Sequence, residues 1–390
     1  MTLPLAGIKV IEFSHMVMGP SCGLILGDLG ADVIKVEPLG AGDNTRRIPG
    51  SGAGFFPTFN RNKRSLAADL KSPKAIEVMR KLVATADVVI ENFRPGALDK
   101  MGLGYEALCA GNPRLIYCSL KGFLSGPYEH RAALDEVVQM MGGLAYMTGP
   151  PGRPLRAGAP VNDMMGGMFA TIAIMAAVIE RGRTGRGQLV KSALFENNAW
   201  LVAPHMAQYV VTGKAADPMP ARISAWAVYD VFETADDPMF LGVVTDTQWE
   251  IFCKEFALTD LLADPSFSTN AKRVAERERL MPLLRDFFKP LTRAEISRRF
   301  ERIGLPYAPV TRPHDLFDDP HLTQAGAMVE VTLDDGKTMA IPALPIEMDG
   351  QRLGRRLDVP RVGEHTKEIA RELGFSAEEV ERLIEEKVIG

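Results

Sequence analysis

Apolar and polar residues along the first half of the chain alternate between strand-like and helix-like blocks. Short apolar runs with the length of buried strands lie at 8–13, 32–37, 87–91 and 115–119. Segments with helical spacing lie between them, at 19–30, 73–84 and 105–110. Strands that alternate with helices predict a largely parallel sheet with helices on both faces. We therefore predict a large doubly wound, Rossmann-like α/β domain.

The pattern changes near residue 226, where a hairpin and charged amphipathic helices replace this alternation. Two strand-like runs, Val228–Thr234 and Met239–Val244, flank a turn at Ala235–Pro238. Helical segments follow at 247–256, 270–288 and 293–303. This part of the chain predicts a smaller α+β domain.

The last part of the chain contains a second hairpin and a capped helix. Strand-like runs at 328–333 and 337–341 flank Asp334-Asp-Gly336, and Ser376 with Glu379 forms a capping-box pattern. We expect a division into a large domain at 1–200, a linker at 201–225, a small domain at 226–305, and a linker with a return to the large domain at 306–390.

An almost unbroken apolar run from Met164 to Ile179 follows Asp163 and ends in the Gly- and Arg-rich stretch 180–187. This pattern predicts a buried helix with a carboxylate at its amino end. From the residues alone, Asp163 could cap the helix, or it could be a nucleophile beside an anion-binding helix end. The run of about 16 residues is shorter than the roughly 20 needed to cross a bilayer, so we expect a core helix and no membrane span.

Composition and charge describe an ordinary globular protein. The chain has 390 residues, of which 46% are hydrophobic, and a formal net charge of −4. Nucleic-acid-binding proteins usually carry a strong basic excess, so this balance argues against such a partner. The basic clusters Arg61–Arg64 and Arg181–Arg186 are too short for that role, although each could meet a phosphate.

The cysteines and the amino-terminal residues favour a cytoplasmic protein. The cysteines, expected to be reduced and structural because they lack metal-type spacing, are Cys22, Cys109, Cys118 and Cys253. The first residues show no basic stretch followed by an apolar one, so no signal peptide is evident. We expect no bound metal and no membrane association.

Glycines in the first predicted helix raise the question of a dinucleotide site. Gly19, Gly23 and Gly27 recur at every fourth position, which places them along one helix face and does not form the G-x-G-x-x-G turn. This spacing favours close packing of the helix on the sheet over a nicotinamide site. The chain also lacks a Walker A loop and a G-x-S-x-G elbow.

Seven segments, in order over nearly the whole chain, carry a family resemblance. They are LAGIKVIEF (5–13), LGADVIKVE (29–37), NKRSL (62–66), ENFRPGAL (91–98), RTGRGQ (183–188), DPHL (319–322) and GEHT (363–366). Each is weak by itself, but together they are specific. The chain resembles the class III CoA-transferases, a group that includes formyl-CoA transferase and, by fold, α-methylacyl-CoA racemase. This resemblance also implies an interlocked homodimer.

The resemblance implies that Asp163 is the nucleophile, because it falls where this family carries its catalytic aspartate. Its carboxylate would attack an acyl-CoA thioester to give a mixed anhydride and CoA thiolate. The thiolate would then attack the aspartyl carbonyl, which releases the donor acid and leaves an aspartyl-CoA thioester. An acceptor carboxylate would repeat these steps in reverse. Coenzyme A is thus part of the substrate, and no permanently bound cofactor is expected.

The resemblance also implies which residues bind CoA and substrate. The expected CoA contacts are His15, Val17, Arg61, Arg64, Asn92, Phe93, Lys100 and Lys121. Phe93 could instead belong to the core, and Lys100 could be a solvated helix residue. Asp135 and the backbone at Gly166 and Gly167 are expected near the reacting atoms. Arg46 and Arg47 could bind the distal carboxylate of a dicarboxylic acid such as a succinyl donor, or they could be surface arginines. The expected partners are an acyl-CoA and a small carboxylic acid.

Two differences from the family's subgroups narrow the activity. Leu134 stands where the racemases carry the histidine of a His-Asp pair, and leucine cannot move a proton. A transferase is therefore favoured over an isomerase of the α-methylacyl-CoA racemase type. Val17 replaces the glutamine of formyl-CoA transferases, and 243–246 lacks their glycine-rich loop, which argues against formyl or oxalate specificity. A third hypothesis, a CoA-binding protein without turnover, predicts affinity for CoA without a covalent adduct at Asp163.

Overall fold

A sheet of six parallel strands forms the centre of the computed structural model, which describes residues 3–222 and 224–390. The strands are β1 (Lys9–Phe13), β2 (Asp32–Glu37), β3 (Lys63–Ala67), β4 (Val88–Glu91), β5 (Ile116–Lys121) and β6 (Leu189–Ala193). Their order is β3-β2-β1-β4-β5-β6, and every neighbouring pair is parallel. The predicted parallel sheet is confirmed, and β3 and β6 extend it beyond the strands that the pattern indicates.

Helices cover both faces of this sheet. They are α1 (Met18–Asp28), α2 (Phe55–Phe59), α3 (Pro73–Ala84), α4 (Ala97–Lys100), α5 (Tyr105–Gly111), α6 (Asp135–Met141), α7 (Leu144–Thr148), α8 (Val161–Thr184) and α9 (Leu194–Thr212), with 3₁₀ turns at Asn44–Arg47 and Gly50–Gly52. On one face α3 and α5 pack over Val89 and Tyr117, and on the other α1 and α8 pack over Ile90 and Cys118. The α/β class is therefore confirmed.

Residues Ala221–Asp319 form a second compact unit with its own core. Its antiparallel strands are β7 (Val228–Phe232), β8 (Met239–Val243) and β9 (Tyr307–Pro309). Its helices are α10 (Asp246–Glu255), α11 (Thr259–Ala263), α12 (Asn270–Ala275), α13 (Arg277–Phe288) and α14 (Arg293–Ile303), with 3₁₀ turns at Pro265–Phe267 and Pro313–Asp318. The predicted hairpin is present as β7 and β8, and the helix predicted at 293–303 is present as α14. The single helix predicted over 270–288 is wrong, because the backbone leaves helical geometry at Glu276.

The chain rejoins the first unit at Pro320. This segment contains α15 (Pro320–Gln324), β10 (Met328–Thr332), β11 (Thr338–Pro342), β12 (Glu347–Met348), β13 (Gln351–Arg352), α16 (Thr366–Glu372) and α17 (Ala377–Glu385). The Gly390 N–H donates to the Ala67 carbonyl on β3 at 3.0 Å, so the segment packs against the edge of the sheet. The hairpin of β10 and β11 and the capping box at Ser376 are confirmed. Helix α9 extends to Thr212, so the linker predicted from residue 201 begins inside a helix.

The regularly spaced glycines of α1 let this helix lie directly on polar side chains of the sheet. A Cβ atom on Gly23 would lie 1.8 Å from Glu12 Oε2, and one on Gly19 would lie 2.3 Å from Ser14 Cβ. A Cβ on Gly27 would approach the backbone of Asn62 at 3.0 Å. These glycines therefore serve helix packing, as predicted.

Helix α8 has 24 residues and is longer than the apolar run that predicts it. By length and composition alone it could cross a membrane. In the fold, one face of α8 packs on α1 and the sheet through Ala170, Ile174 and Ala177. Near its end, the buried Arg181 pairs with Asp87 at 2.9 Å. This face of α8 is therefore part of the core of the first unit.

Candidate active site

The carboxyl ends of β1 and β4 are neighbours at the point where the strand order of the sheet reverses, the place where an open α/β sheet forms a crevice. The turns that follow these strands are joined by two reciprocal hydrogen bonds: His15 N–H donates to Asn92 Oδ1 at 3.1 Å, and Asn92 Nδ2 donates to the His15 carbonyl at 2.8 Å. Open α/β sheets bind ligands at this kind of topological switch point. The structure thus brings two of the predicted CoA contacts together at a place suited to a nucleotide.

Two further predicted CoA contacts lie at this crevice. The Phe93 ring packs edge-on against the His15 ring with centroids 6.0 Å apart. Val17 is buried at the amino end of α1, where it packs with Leu24 and Phe59. Partial desolvation by the surrounding protein atoms lowers the pKa of His15 below its ordinary value.

Asp163 lies in the first turn of α8, on the helix face that packs toward α1 and the sheet. With 3.6 residues per turn, it shares this face with Gly166, Gly167 and Ala170, all of which are buried. Gly166 faces Met18, the first residue of α1, so the start of α8 lies beside the turn that follows β1. The Asp163 side chain is therefore only partly exposed.

Asp135 supplies the cap for the start of α8. Its Oδ2 accepts hydrogen bonds from the backbone N–H groups of Asn162 and Asp163, at 2.8 and 3.0 Å. Its Oδ1 accepts from Gln139, so the carboxylate is fixed from two sides. The residue at the capping position of α8 is Pro160, and no side chain at that position makes a cap hydrogen bond. The interpretation of Asp163 as the helix cap is therefore wrong, because Asp135 provides that function.

The pKa of Asp163 is raised from 3.8 to about 7. Burial is the largest cause. It removes water from the side chain, and this loss costs the ionised carboxylate more free energy than the neutral carboxylic acid. The negative charges of Asp135 and Glu136 add to the shift. Strongly shifted carboxyl groups are common at reactive sites.

Gly166 and Gly167 lie inside α8, where backbone amides bond to carbonyls one turn earlier. A Cβ on Gly167 would lie 2.0 Å from Ser21 Oγ and 2.8 Å from the Met18 carbonyl. Their observed role is to let α8 approach α1. Their contact with substrate stays a prediction.

The predicted phosphate contacts Arg61 and Arg64 are engaged within the protein. Arg61 is 2% exposed and pairs with Asp28 at 2.6 Å. Arg64 pairs with Asp32 at 2.6 Å and with Glu372 at 2.6 Å. These ion pairs connect β3 and the residues just before it to α1, β2 and α16. The structure therefore does not bring the two arginines to the crevice as free cations.

Arg46 and Arg47 are also bound to protein groups. The Arg46 guanidinium donates to both oxygens of Glu37, at 2.8 and 2.9 Å, and to the Pro360 carbonyl at 2.8 Å. Arg47 donates to Asn44 Oδ1 at 2.8 Å and to the Ala41 carbonyl. Arg46 therefore ties the loop after β2 to the carboxyl-terminal segment.

The two predicted lysines differ in their surroundings. Lys121 Nζ donates to both oxygens of Glu91, at 2.6 and 2.7 Å, and to the Phe93 carbonyl at 2.7 Å. All three of its N–H groups are used, while Lys100 is exposed at the end of α4. A cavity of about 340 Å³ also borders Lys121 and Glu91, but Asp163 does not line it.

Leu134 precedes Asp135 and is 64% exposed. At this position the chain offers no second group that could carry a proton. The described residues also contain no group of three or more His, Cys, Asp or Glu side chains arranged to hold a metal ion.

A buried group of charged side chains lies beneath α1 and was not predicted from the sequence. Glu12 on β1 pairs with Lys63 on β3 at 2.8 Å and with Lys35 on β2 at 3.4 Å, and all three side chains are fully buried. Burial lowers the pKa of Lys63 to about 8. The available signal was a charged residue inside each of two apolar strands, Glu12 in β1 and Lys35 in β2, because buried charged residues are rare unless they are paired.

Comparisons with known proteins agree with this architecture. The sequence profile described as CoA-transferase family III matches residues 5–366. An acyl-CoA transferase of Fusarium pseudograminearum is 35% identical over an alignment of 401 positions that covers 99% of this chain and 88% of that protein. The succinate–glutarate CoA-transferase of Agrobacterium fabrum is 35% identical over an alignment of 382 positions that covers 95% of this chain and 96% of that protein.

A solved structure shows the same fold over nearly the whole chain. The crystal structure of a CAIB/BAIF family protein from Brucella suis superimposes with a TM-score of 0.85 at 37% identity, and the match covers 96% of this chain and 100% of that one. The profile match and the full-length relatives agree with each other and with the seven motifs. The chain therefore belongs to CoA-transferase family III and is a class III CoA-transferase.

Proposed function

We propose that this enzyme moves CoA from an acyl-CoA thioester to a carboxylic acid, with the Asp163 carboxylate as the nucleophile. One observation carries the proposal: Asp135 binds the backbone N–H groups at the start of α8, so Asp163 is not needed as a cap. The side chain of Asp163 is thus free to react, and its backbone is held in place.

The reaction proceeds by exchange at two carbonyl carbons. An Asp163 oxygen bonds to the donor carbonyl carbon, the carbon–sulfur bond breaks, and CoA leaves as a thiolate. The thiolate bonds to the Asp163 carbonyl carbon, the anhydride bond breaks, and the donor acid leaves as a carboxylate. The acceptor carboxylate attacks the aspartyl-CoA thioester, and the same steps in reverse give the new acyl-CoA and free Asp163. No net proton or electron is required.

The surroundings of Asp163 suit this chemistry. A carboxylate with little hydration is a stronger nucleophile than one in water, and exclusion of water protects the anhydride and thioester from hydrolysis. Only the ionised form can attack, and a pKa of about 7 leaves a large ionised fraction at neutral pH.

Acyl-CoA binds, in this proposal, along the crevice formed by the turns after β1 and β4. His15, Asn92 and Phe93 line these turns, and the start of α1 leads from there to α8. The exposed Lys100 can meet a phosphate at the outer end of the same site.

The donor proposed is a dicarboxyl thioester such as succinyl-CoA. The support is the activity named for the Agrobacterium fabrum relative. Arg46 and Arg47 support it less, because both guanidinium groups are bound to protein oxygens.

The assembly proposed is an interlocked homodimer in the cytoplasm. Apolar side chains on the outer faces of α8 and α9 are strongly exposed in a single chain; they are Met168, Ile172, Ile179, Trp200, Met206, Tyr209, Val210 and Val211. An exposed apolar area on two adjacent helices is typical of a subunit interface. A second copy of the chain is the occupant that the family resemblance implies.

Intact-protein mass spectrometry tests the chemistry directly. The protein is incubated separately with succinyl-CoA and acetyl-CoA, and Asp163→Ala serves as the control. A CoA-sized adduct on the wild-type protein that hydroxylamine removes and that Asp163→Ala lacks is the expected result. Absence of an adduct with a broad panel of acyl-CoA donors would contradict transfer through Asp163. Exchange of the substrate α-hydrogen with deuterated water would then indicate an isomerase.

A further inference from the structure

The turn that follows β1 is held by a fully buried lysine. Lys35 Nζ donates to the Ser14 carbonyl at 2.7 Å and pairs with Asp43 Oδ2 at 2.9 Å. Asp43 Oδ1 accepts the N–H and the hydroxyl of Thr45, at 2.9 and 2.7 Å. Thr45 Oγ1 in turn accepts the Met16 N–H at 2.9 Å. Lys35 therefore fixes this turn directly and through a chain of two residues.

The backbone within this turn has an unfavourable conformation. Met16 has a φ of 65°, in the left-handed region that residues with a Cβ seldom occupy. Such a conformation persists only where the surrounding contacts determine it, and it is common where ligands bind. The hydrogen bond from Met16 N–H to Thr45 is one of these contacts.

A second lysine holds the turn that follows β4. The Lys121 ammonium contacts the Phe93 carbonyl at 2.7 Å, and Glu91 Oε2, to which it also donates, accepts the Phe93 N–H at 3.0 Å. Ser119 Oγ donates to the other Glu91 oxygen at 2.5 Å. Both backbone polar groups of Phe93 are thus fixed by one partly buried ion pair.

We propose that Lys35 and Lys121 are positioning residues that preorganise the crevice for acyl-CoA without contacting it. The proposal rests on the proposed function of the crevice. The reciprocal bonds between His15 and Asn92 join the two turns, so both lysines act on one shaped surface. Binding to a preformed surface avoids the entropy cost of ordering it.

Thr45→Val tests the first turn. Replacing Lys35 itself would leave Asp43 as an unpaired buried carboxylate and Glu12 with Lys63 as its remaining lysine partner, which destabilises the whole fold. Valine keeps the shape of Thr45 and removes its hydroxyl. Thr45→Val removes the hydrogen bond that the hydroxyl donates to Asp43 and the one that it accepts from the Met16 N–H. We therefore expect the KM for acyl-CoA and the Kd of CoA by calorimetry to rise about tenfold, with kcat within about twofold. The KM for the acceptor acid should stay unchanged.

Two further variants make this test specific. Thr45→Ser keeps the hydroxyl and should restore CoA affinity. Ser65→Ala removes another buried hydroxyl, which donates to Glu37 at 2.6 Å on a neighbouring strand, and should leave the KM for acyl-CoA unchanged. Thr45→Val with wild-type CoA affinity, or Ser65→Ala with the same loss, would overturn the positioning role of the first turn.

Glu91→Gln separates a positioning role of Lys121 from direct phosphate binding. Removing the Glu91 carboxylate would free the Lys121 ammonium. If Lys121 binds a phosphate of CoA directly, the variant should therefore bind CoA more tightly than the wild type. A positioning lysine loses its partner, so the Phe93 turn loosens and CoA should bind several-fold more weakly. Tighter or unchanged binding would overturn the assignment of Lys121.

The wild-type adduct experiment distinguishes this inference from the function on which it rests. Wild-type protein that forms no CoA adduct contradicts the proposed function, whatever the variants do. Wild-type protein that forms the adduct, combined with normal CoA affinity in Thr45→Val and Glu91→Gln, contradicts the positioning role alone.

Discussion

The backbone N–H of Asp163 donates to Asp135 Oδ2 at 3.0 Å, so two carboxylate side chains belong to one helix start. A nearby negative charge disfavours a second one, and Asp135 adds to the effect of burial on the pKa of Asp163. The residue that fixes the backbone of the proposed nucleophile therefore also influences the pH at which that nucleophile ionises.

The pH dependence of adduct formation tests this coupling. In the wild-type protein the single-turnover rate should rise with pH through about 7, because only ionised Asp163 attacks. Asp135→Asn keeps an oxygen for the backbone N–H groups but removes the charge, so the midpoint should fall by about one pH unit. Glu136→Gln is the matched control: its carboxylate pairs with Arg156 and is 48% exposed, so a smaller shift is expected. An unchanged midpoint in Asp135→Asn would contradict the coupling.

Stability should depend on pH through Asp163 in a defined direction. Its pKa is about 7 in the folded protein against an ordinary value of 3.8, so between these values the folded state binds the extra proton. The free energy of unfolding therefore falls as pH rises through this window and is lowest above it. Asp163→Asn removes the effect and should be more stable than wild type by about 2 kcal/mol near pH 8, after allowance for partial solvation, with little difference near pH 4. Urea unfolding of both proteins near pH 8 and near pH 4 measures the difference in the free energy of unfolding. The same difference at both pH values would contradict a raised pKa of Asp163.

Two glycines in one helix should respond oppositely to alanine. A Cβ on Gly167 would meet the backbone of α1 at 2.8 Å, so Gly167→Ala should lower the free energy of unfolding by about 2 kcal/mol. Gly182 has no atom within 4 Å of its virtual Cβ, so Gly182→Ala should raise that free energy by up to about 1 kcal/mol. Chemical denaturation of both variants provides the measurement. Equal changes in the free energy of unfolding would show that stability does not depend on the close approach of α8 to α1.

Arg61 should matter for stability and not for CoA binding. Arg61→Met leaves Asp28 buried without its partner, so the free energy of unfolding should fall by about 3–5 kcal/mol. The KM for acyl-CoA, measured on the folded protein at low temperature, should stay at its wild-type value. Arg61→Met combined with Asp28→Asn should recover part of the stability. A raised KM with intact stability would instead restore Arg61 as a phosphate ligand.

Elements set by near neighbours were predictable from the sequence. The hairpin of β7 and β8, the bounds of α14 and the capping box at Ser376 depend on residues a few positions apart, and their periodicity is visible in the chain. Strand β3 was not predictable from the sequence, because Lys63 and Arg64 give it the composition of a polar loop. Their charges are neutralised by Glu12 and Asp32, which come from other strands.

The candidate site was predictable only in part, because several of its side chains have partners that are distant in the sequence. Asp163 is marked by its segment and by the family resemblance, but its cap comes from Asp135, 28 residues earlier in the chain. The roles of Lys121 and Arg46 were missed because their partners, Glu91 and Glu37, become neighbours only when the sheet forms. Side chains that serve the fold and side chains that bind ligand look alike in sequence when both are basic.

Because Asp135 caps α8 from outside, the side chain at position 163 can be exchanged without unwinding the helix. A cysteine installed there would present a thiol at the position of the proposed nucleophile. Exchange of this thiol with a mixed disulfide of CoA would then release the other thiol and tether CoA through its own sulfur. The helix start would become an attachment point for crystallography of a stable disulfide analogue of the proposed aspartyl-CoA thioester.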